Sequence, residues 1–284
     1  PILTKAHSLC GDNVAYVYGW RITNIFGYGK DFRETASTVI WLNEQVSVRA
    51  LFAGGPAMKA GIRIGDWIVA INGQELPKGE DGLKKLRDPE FTDALGKAPE
   101  LNVTVERPEG RSTLNLKGEK ACNYLVRFML GDAVNAFADG KSIVVFRGMM
   151  RMAKNDNELA LVIGHELAHN AMGHIDKKKQ NAGLGSFLDL LAAFRGVNTQ
   201  GMFGKMAMGA YSQDFEAEAD YVGLYMLATT GVDIAEAPHF WRRMAAENPG
   251  SINSNHAASH PATSYRFLAL EKTVQEIVEK KRTH

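Results

Sequence analysis

Two histidines four residues apart, His165 and His169, enclose a carboxylate at Glu166. On an α-helix, positions i and i+4 lie about 40° apart around the axis and about one turn apart along it. Both imidazoles can therefore bind one Zn²⁺ through ring nitrogens, while Glu166 reaches a water molecule on the same metal. This spacing predicts hydrolytic chemistry.

The sequence around this motif predicts a buried helix that begins after Asn155. Asn155 is a good N-cap residue, acidic residues occupy the first turn, and the run Leu159–Ile163 supplies an apolar face. Two histidines and a glutamate on such an apolar helix would be costly unless something coordinates or neutralises them. The context therefore favours a metal site over an accidental match.

Catalytic zinc normally takes three protein ligands, so a third ligand must lie elsewhere. The metzincin arrangement requires a histidine at position 175, where this chain has Ile175; His174 follows Gly173 and is expected at the helix end. The metzincin arrangement is therefore excluded.

A second predicted helix contains Glu216 and Asp220, which are i and i+4 and share a face. We predict that Glu216 is the third zinc ligand. Asp220 would hydrogen-bond the far nitrogen of a ligating histidine and fix its tautomer. The other acids of this stretch, Asp214 and Glu218, are assigned to a solvated face.

Together these residues resemble the gluzincin metallopeptidases of family M48. The similarity spans roughly residues 120–270 and is carried by motifs in a fixed order: Val134–Gly140, the histidine pair, Glu216–Asp220 followed by Tyr221-Val-Gly, and His260-Pro261 with Arg266. The resemblance implies a zinc endopeptidase. Its zinc ligands would correspond to His165, His169 and Glu216, and its catalytic base to Glu166.

The resemblance also implies roles outside the ligand set. His260 would stabilise the developing oxyanion, with Arg266 on the following helix, although His260 could instead cap the helix that Pro261 begins. Asn135, Ala136 and Phe137 would bind substrate. Similar enzymes use an edge strand at 142–146, which would pair with an extended substrate; an ordinary core strand is the alternative.

An earlier stretch, Gly54–Gly73, looks like the core of a PDZ domain of the bacterial protease type. A short helix would end at Gly61, a strand would run from Trp67 to Ile71, and Asn72-Gly73 would form a tight hairpin. Downstream, apolar residues alternate on both sides of a turn at 108–110, which closes the module at about Lys117. Such modules take peptides by β-addition, but a steric or regulatory insert is an equal alternative.

These patterns predict an α+β chain in which a mostly helical gluzincin domain with a small sheet is interrupted by a β-rich, PDZ-like insert. We expect residues 1–45 to form the N-terminal part of the peptidase domain, residues 46–119 the insert, and residues 120–284 the catalytic domain. Within the first segment, residues 14–20 and 37–42 are strand-like. The length of 284 residues accommodates both parts.

Charge and hydropathy narrow the choice of partners. The chain has 33 Lys and Arg residues and 32 Asp and Glu residues, so its net charge is +1. A charge this close to zero does not indicate a nucleic-acid partner. The longest apolar run without charge, Tyr221–Val232, has 12 residues, where a membrane-spanning helix needs about 18 or more. The Met-rich apolar segment 182–210 suggests either a lid or substrate-facing surface with peripheral membrane contact, or a helical hairpin packed on the core.

Two cysteines, Cys10 and Cys122, lie on either side of the insert. They would form one disulfide in an oxidising compartment, or remain two buried thiols. The chain begins at Pro1, which suggests a mature or trimmed protein. We expect a periplasmic or otherwise exported location, with membrane association through a removed N-terminal anchor as one form of it.

Two functional hypotheses follow. The first is a zinc endopeptidase that hydrolyses unfolded or misfolded envelope proteins, with the insert screening or delivering polypeptides. The second is a peptide-binding chaperone whose zinc site is held shut, by the Met-rich segment or by an extra ligand such as His7 or His256.

Overall fold

The computed structural model describes residues 1–177, 180, 212–247 and 264–283. The chain forms two compact units, one made of Pro1–Asn13 and Cys122–His284 and the other of Val14–Ala121. The α+β prediction, with a PDZ-like β region and a helical peptidase-like part, is confirmed. The predicted His260, His256 and Met-rich segment 182–210 lie outside the described residues.

The helices are α1 Ile2–Lys5, α2 Lys30–Ile40, α3 Pro56–Lys59, α4 Gly79–Arg87, α5 Pro89–Lys97, α6 Arg147–Met152, α7 Asp156–Ala171, α8 Ser212–Thr230, α9 Ala237–Glu247 and α10 Ser264–Thr283. The strands are β1 Val14–Val17, β2 Trp20–Thr23, β3 Ser47–Leu51, β4 Trp67–Ile71, β5 Gln74–Glu75, β6 Glu100–Arg107, β7 Gly110–Lys117, β8 Glu119–Cys122, β9 Leu125–Met129, β10 Ala136–Ala138 and β11 Ser142–Phe146.

The unit Val14–Ala121 is built on one antiparallel sheet with the order β2-β3-β4-β6-β7, and β5 pairs with β4. Its core contains alternate residues of β6, namely Leu101, Val103 and Val105, which are fully buried. At Asn72 and Gly73 the backbone has positive φ angles of 51° and 76°, the geometry of a type I′ hairpin turn. The strands and turns predicted from residue 54 onward therefore have their expected positions.

The segment before β3 differs from the sequence expectation. Residues 14–45 belong to the same compact unit as the PDZ-like strands, because β2 pairs antiparallel with β3. The strand-like interpretation of residues 37–42 was wrong, since residues 30–40 form the helix α2. Thr38 donates a hydrogen bond to the Glu34 carbonyl, and Val39 is 65% exposed. Local helical bonding outweighs the β-branched composition where no sheet neighbour buries these side chains.

The other unit contains a three-stranded sheet with the order β10-β11-β9. β11 is the central strand, antiparallel to β10 and parallel to β9. Of the two alternatives for residues 142–146, the described strands support the core strand and contradict the edge strand. Four of its five residues are buried, which is the pattern of a central strand covered on both faces. β10, at one edge of these three strands, packs against α7.

Helices α7 and α8 pack on each other and carry the residues singled out above. Asn155 caps α7 by accepting a hydrogen bond from the Glu158 amide at 3.0 Å. The two helices approach closely at Gly164 and Gly223, where a Cβ on Gly223 would lie 2.9 Å from the Gly164 carbonyl oxygen. Glycine at these positions lets the two backbones come into contact.

The N-terminal residues are tied to the same unit. Cys10 and Cys122 form a disulfide, and Lys5 Nζ donates a hydrogen bond to the Thr230 carbonyl at the end of α8.

Among the described residues, none of the helices has the length and apolar character that crossing a bilayer requires.

Candidate metal centre

Three buried side chains from two helices converge at one point. α7 supplies His165 and His169, and α8 supplies Glu216. The Nε2 atoms of the two histidines are 3.1 Å apart. Glu216 Oε2 lies 3.3 Å from His165 Nε2, and Glu216 Oε1 lies 3.2 Å from His169 Nε2. All three residues are at most 2% exposed.

The spacing of these atoms fits a metal ion. Ligand atoms about 2.0–2.1 Å from a tetrahedral zinc are separated from one another by about 3.3–3.4 Å. The observed separations of 3.1 to 3.3 Å are close to that value. Two imidazole nitrogens and a carboxylate oxygen also form a common ligand set of catalytic zinc. The group can therefore hold a metal ion.

A carboxylate and a guanidinium lie behind His165. Asp220 Oδ1 is 2.9 Å from His165 Nδ1, so the other ring nitrogen, Nε2, points toward His169 and Glu216. Arg266 donates two hydrogen bonds to Asp220, from Nε at 2.7 Å and from Nη2 at 2.9 Å. Such a partner fixes the tautomer and ring orientation of a ligating histidine. The predicted contact between Asp220 and a histidine is thus present in the structure.

Arg266 also reaches the third member of the group, with Nη1 3.2 Å from Glu216 Oε2. Its guanidinium carbon lies 5.5 Å from the centre of the Trp241 ring, at which distance a cation interacts favourably with an aromatic face. The structure therefore places Arg266, which the resemblance grouped with His260 as a catalytic residue, against the carboxylates of Asp220 and Glu216.

The pKa values reflect this concentration of buried charge. Burial alone lowers the pKa of His165, but hydrogen bonds to Asp220 and Glu216 outweigh it and raise the pKa to about 10. Burial raises the pKa of Asp220, yet the charge of Arg266 and the contact with His165 hold it below its usual range. The two carboxylates thus favour a positive charge at His165, and a metal cation bound there would supply one.

His169 has a partner that the sequence analysis did not assign. Its Nδ1 lies 2.9 Å from Nδ1 of His174, and His174 Nε2 lies 3.0 Å from Glu218 Oε2. His174 follows the end of α7 as expected, but it is fully buried. Glu218 is partly solvated, with 45% of its side chain exposed. The sequence signal that could have indicated this contact is the position of His174, five residues after His169.

The remaining predicted residues lie at different places. Glu166 is buried at 2% exposure. Burial lowers the pKa of Arg266, but the charges of Asp220, Glu216 and, to a smaller extent, Glu166 outweigh burial and raise this pKa. Ala136 and Phe137 lie on β10, and Asn135 directly precedes it. His7, suggested as an extra ligand, does not belong to the metal-binding group found among the described residues; its Nδ1 lies 2.7 Å from the Thr4 carbonyl.

Comparison with protein families agrees with this arrangement. The model of peptidase family M48 matches residues 97–274, and that of the PDZ domain matches residues 48–88. The family match covers more than half of the chain. The chain therefore belongs to peptidase family M48, and it carries a PDZ domain.

Several curated proteins are similar to about half of this chain. The metalloprotease LoiP of Escherichia coli is 35% identical over 162 residues, which cover 54% of this chain and 62% of that protein. The metalloprotease YcaL of E. coli is 34% identical, over 50% of this chain and 58% of that protein. The mitochondrial metalloendopeptidase OMA1 of Schizosaccharomyces pombe is 30% identical, over 52% of this chain and 46% of that protein.

The matched region spans about half the length of the two yeast OMA1 proteins, 46% in Schizosaccharomyces pombe and 43% in Saccharomyces cerevisiae. Among solved structures, the HtrA3 PDZ domain bound to a phage-derived ligand is similar, with a TM-score of 0.27 and 18% identity, over 38% of this chain and 88% of that chain.

Proposed function

We propose that this protein is a zinc-dependent endopeptidase in which His165, His169 and Glu216 bind the metal and Glu166 is the general base. The observation that carries the proposal is the buried triangle of two Nε2 atoms and one carboxylate, with edges of 3.1 to 3.3 Å. Membership of peptidase family M48 supports the same activity.

Zinc, when bound, lowers the pKa of a water molecule to about 7 and polarises the scissile carbonyl. Glu166 is the residue that follows His165 on α7, and we assign it the removal of a proton from the attacking water. The same carboxyl group then passes that proton to the leaving amine. Asp220 holds His165 in the tautomer that presents Nε2 to the metal, and Arg266 keeps Asp220 ionised. His260 remains our proposed oxyanion donor.

The proposed substrates are unfolded or misfolded polypeptides of the cell envelope. We place the substrate along Asn135, Ala136 and Phe137, because β10 lies against α7 at one edge of the described sheet. An extended chain bound there would be recognised mainly by its backbone, which accepts many sequences but requires local unfolding. The PDZ domain would take a second peptide segment of the same substrates.

We propose a periplasmic or otherwise exported location. The disulfide between Cys10 and Cys122 supports it, because disulfides persist in oxidising compartments.

The substitution Glu166→Gln tests the proposed mechanism. It preserves the shape of the side chain but removes the base, so we expect the variant to bind one zinc per chain and to lose about 10²–10⁴-fold in cleavage of an unfolded reporter polypeptide. The control Glu236→Gln makes the same change at an exposed position of the same unit. Wild-type cleavage rates in the Glu166 variant would remove this residue from the mechanism.

A further inference from the structure

We propose that His174 and Glu218 position His169 for metal binding, through a chain of two hydrogen bonds that leads from the partly solvated carboxylate to the buried ligand. This inference rests on the proposed metal site and assigns two further residues to it. Both contacts are short: 2.9 Å between the Nδ1 atoms of His169 and His174, and 3.0 Å from His174 Nε2 to Glu218 Oε2.

The fold holds His174 firmly in this position. Gly173 has a φ angle of +66°, a conformation that turns the backbone at a helix C-terminus. The turn directs His174 back onto the helix it has just left. Its ring stacks on Phe215, with centroids 4.5 Å apart and planes inclined by 13°. A fully buried imidazole in this setting requires polar partners, and the two hydrogen bonds provide them.

The positions of the protons follow from the metal. If Nε2 of His169 binds zinc, its Nδ1 carries the hydrogen and must donate. His174 then accepts that bond with the lone pair on its own Nδ1. A neutral His174 consequently carries its hydrogen on Nε2, which donates to the Glu218 carboxylate. Each atom of the chain has one consistent role, so the arrangement selects the tautomer of His169 that binds metal.

The two histidine ligands are therefore supported differently. His165 faces the buried carboxylate of Asp220 directly, whereas His169 faces a neutral imidazole with a carboxylate behind it. Partners of this kind orient a ligand ring and increase its basicity, and losing one typically lowers metal affinity by about 10–100-fold. We expect His174 to have an effect of that size and Glu218 a smaller one, because 45% of its side chain is exposed.

Four variants separate positioning from simple packing. His174→Phe keeps an aromatic ring beside Phe215 but removes the acceptor for His169. His174→Gln returns an acceptor oxygen to the site. Glu218→Gln removes the charge with little change in shape, and Asp214→Asn makes the matched change at an exposed position four residues earlier on α8.

The readout is the zinc dissociation constant of the full chain, measured by competition with a chromophoric chelator. We expect His174→Phe to raise it by about 10–100-fold and Glu218→Gln by several-fold, while Asp214→Asn stays within about twofold of wild type. His174→Gln should recover part of the loss, which a purely structural role would not produce. Circular dichroism of each zinc-free variant establishes that it is folded.

The outcomes distinguish this inference from the proposed function. Wild-type protein that binds no zinc would overturn both. Zinc-loaded wild-type protein combined with an unchanged dissociation constant in His174→Phe and Glu218→Gln would overturn the positioning role alone. If His174→Phe does not fold, long-range ¹H–¹⁵N spectra of the zinc-loaded wild type decide. They should show hydrogen on His169 Nδ1 and His174 Nε2, and hydrogen on His174 Nδ1 instead would refute the inference.

Discussion

Gly223→Ala should weaken zinc binding at the proposed metal centre without altering a proposed ligand, because it moves apart the two helices that carry His165, His169 and Glu216. A Cβ at this position would lie 2.9 Å from the Gly164 carbonyl oxygen and 3.1 Å from the His165 amide nitrogen. Both atoms belong to the backbone of α7, so rotation of a side chain cannot relieve the overlap.

The size of the effect follows from these distances. Ordinary contacts with a Cβ begin at 3.4 Å, so the helices must move apart by about 0.5 Å near His165. Metal–ligand distances tolerate about 0.2 Å. We therefore expect zinc affinity to fall by at least about 10-fold, comparable to the loss of a supporting hydrogen bond. The free energy of unfolding should decrease by about 1–3 kcal/mol, less a gain of up to about 1 kcal/mol in helix propensity.

Two matched substitutions serve as comparisons for this prediction. At Gly164 a Cβ would meet the side-chain carbons of Leu227 at 2.8 to 3.1 Å, which a rotamer change can partly relieve, so Gly164→Ala should cost less. At Gly96, in α5, the nearest atom is the Ala15 Cβ at 3.4 Å, and Gly96→Ala should leave zinc affinity unchanged. Chelator competition and urea unfolding measure both quantities. Wild-type zinc affinity in Gly223→Ala would refute the reasoning.

Three further predictions concern the same unit. Asp220→Asn removes a negative charge from beside the buried guanidinium of Arg266, so the free energy of unfolding in urea should fall by about 3–5 kcal/mol. Zinc binding measured by chelator competition should be about 10–100-fold weaker. Wild-type stability together with wild-type zinc affinity would contradict the role assigned to Asp220. Reduction of the Cys10–Cys122 disulfide should lower the free energy of unfolding of its unit by about 2–4 kcal/mol. This loss is smaller than expected for a flexible loop of the same length, because the enclosed residues 14–121 are folded. An unchanged urea midpoint in the presence of reductant would contradict this prediction. Hydrogen bonds from Arg243 hold the pKa of Glu158 below its usual 4.5. The ion pair therefore stabilises the fold above pH 4.5, and this stabilisation disappears as the pH falls through the folded pKa. The free energy of unfolding, measured from pH 6 to 3, should fall less steeply in Glu158→Gln than in wild type, and parallel curves would exclude the contribution.

The part of the site that could be predicted from sequence is the part set by helical spacing. His165 and His169 share a face because they are four residues apart, and Glu216 and Asp220 do so for the same reason. That these two faces meet is a long-range property that spacing within one helix cannot indicate. Its prediction depended on the need for a third zinc ligand and on the resemblance to a family. The two helices can approach this closely because Gly223 has no Cβ, which would otherwise lie 2.9 Å from the Gly164 carbonyl oxygen.

Long-range pairing also explains the differences from expectation. Nothing in residues 142–146 indicates whether β11 has one neighbour or two, since buried central and edge strands can have similar composition. His174 was expected only to lie near a helix end, and its contact with His169 depends on the turn at Gly173. The helix at residues 30–40 shows that β-branched residues do not form a strand where no sheet covers them.

The most direct test of the account is the location of the metal in the purified protein. Anomalous diffraction at the zinc edge, from crystals of the full chain, should reveal one zinc ion bonded to His165 Nε2, His169 Nε2 and a Glu216 oxygen at about 2.0–2.2 Å. Folded protein that has no zinc after incubation with the metal, or zinc bound without Glu216, would contradict the central claim.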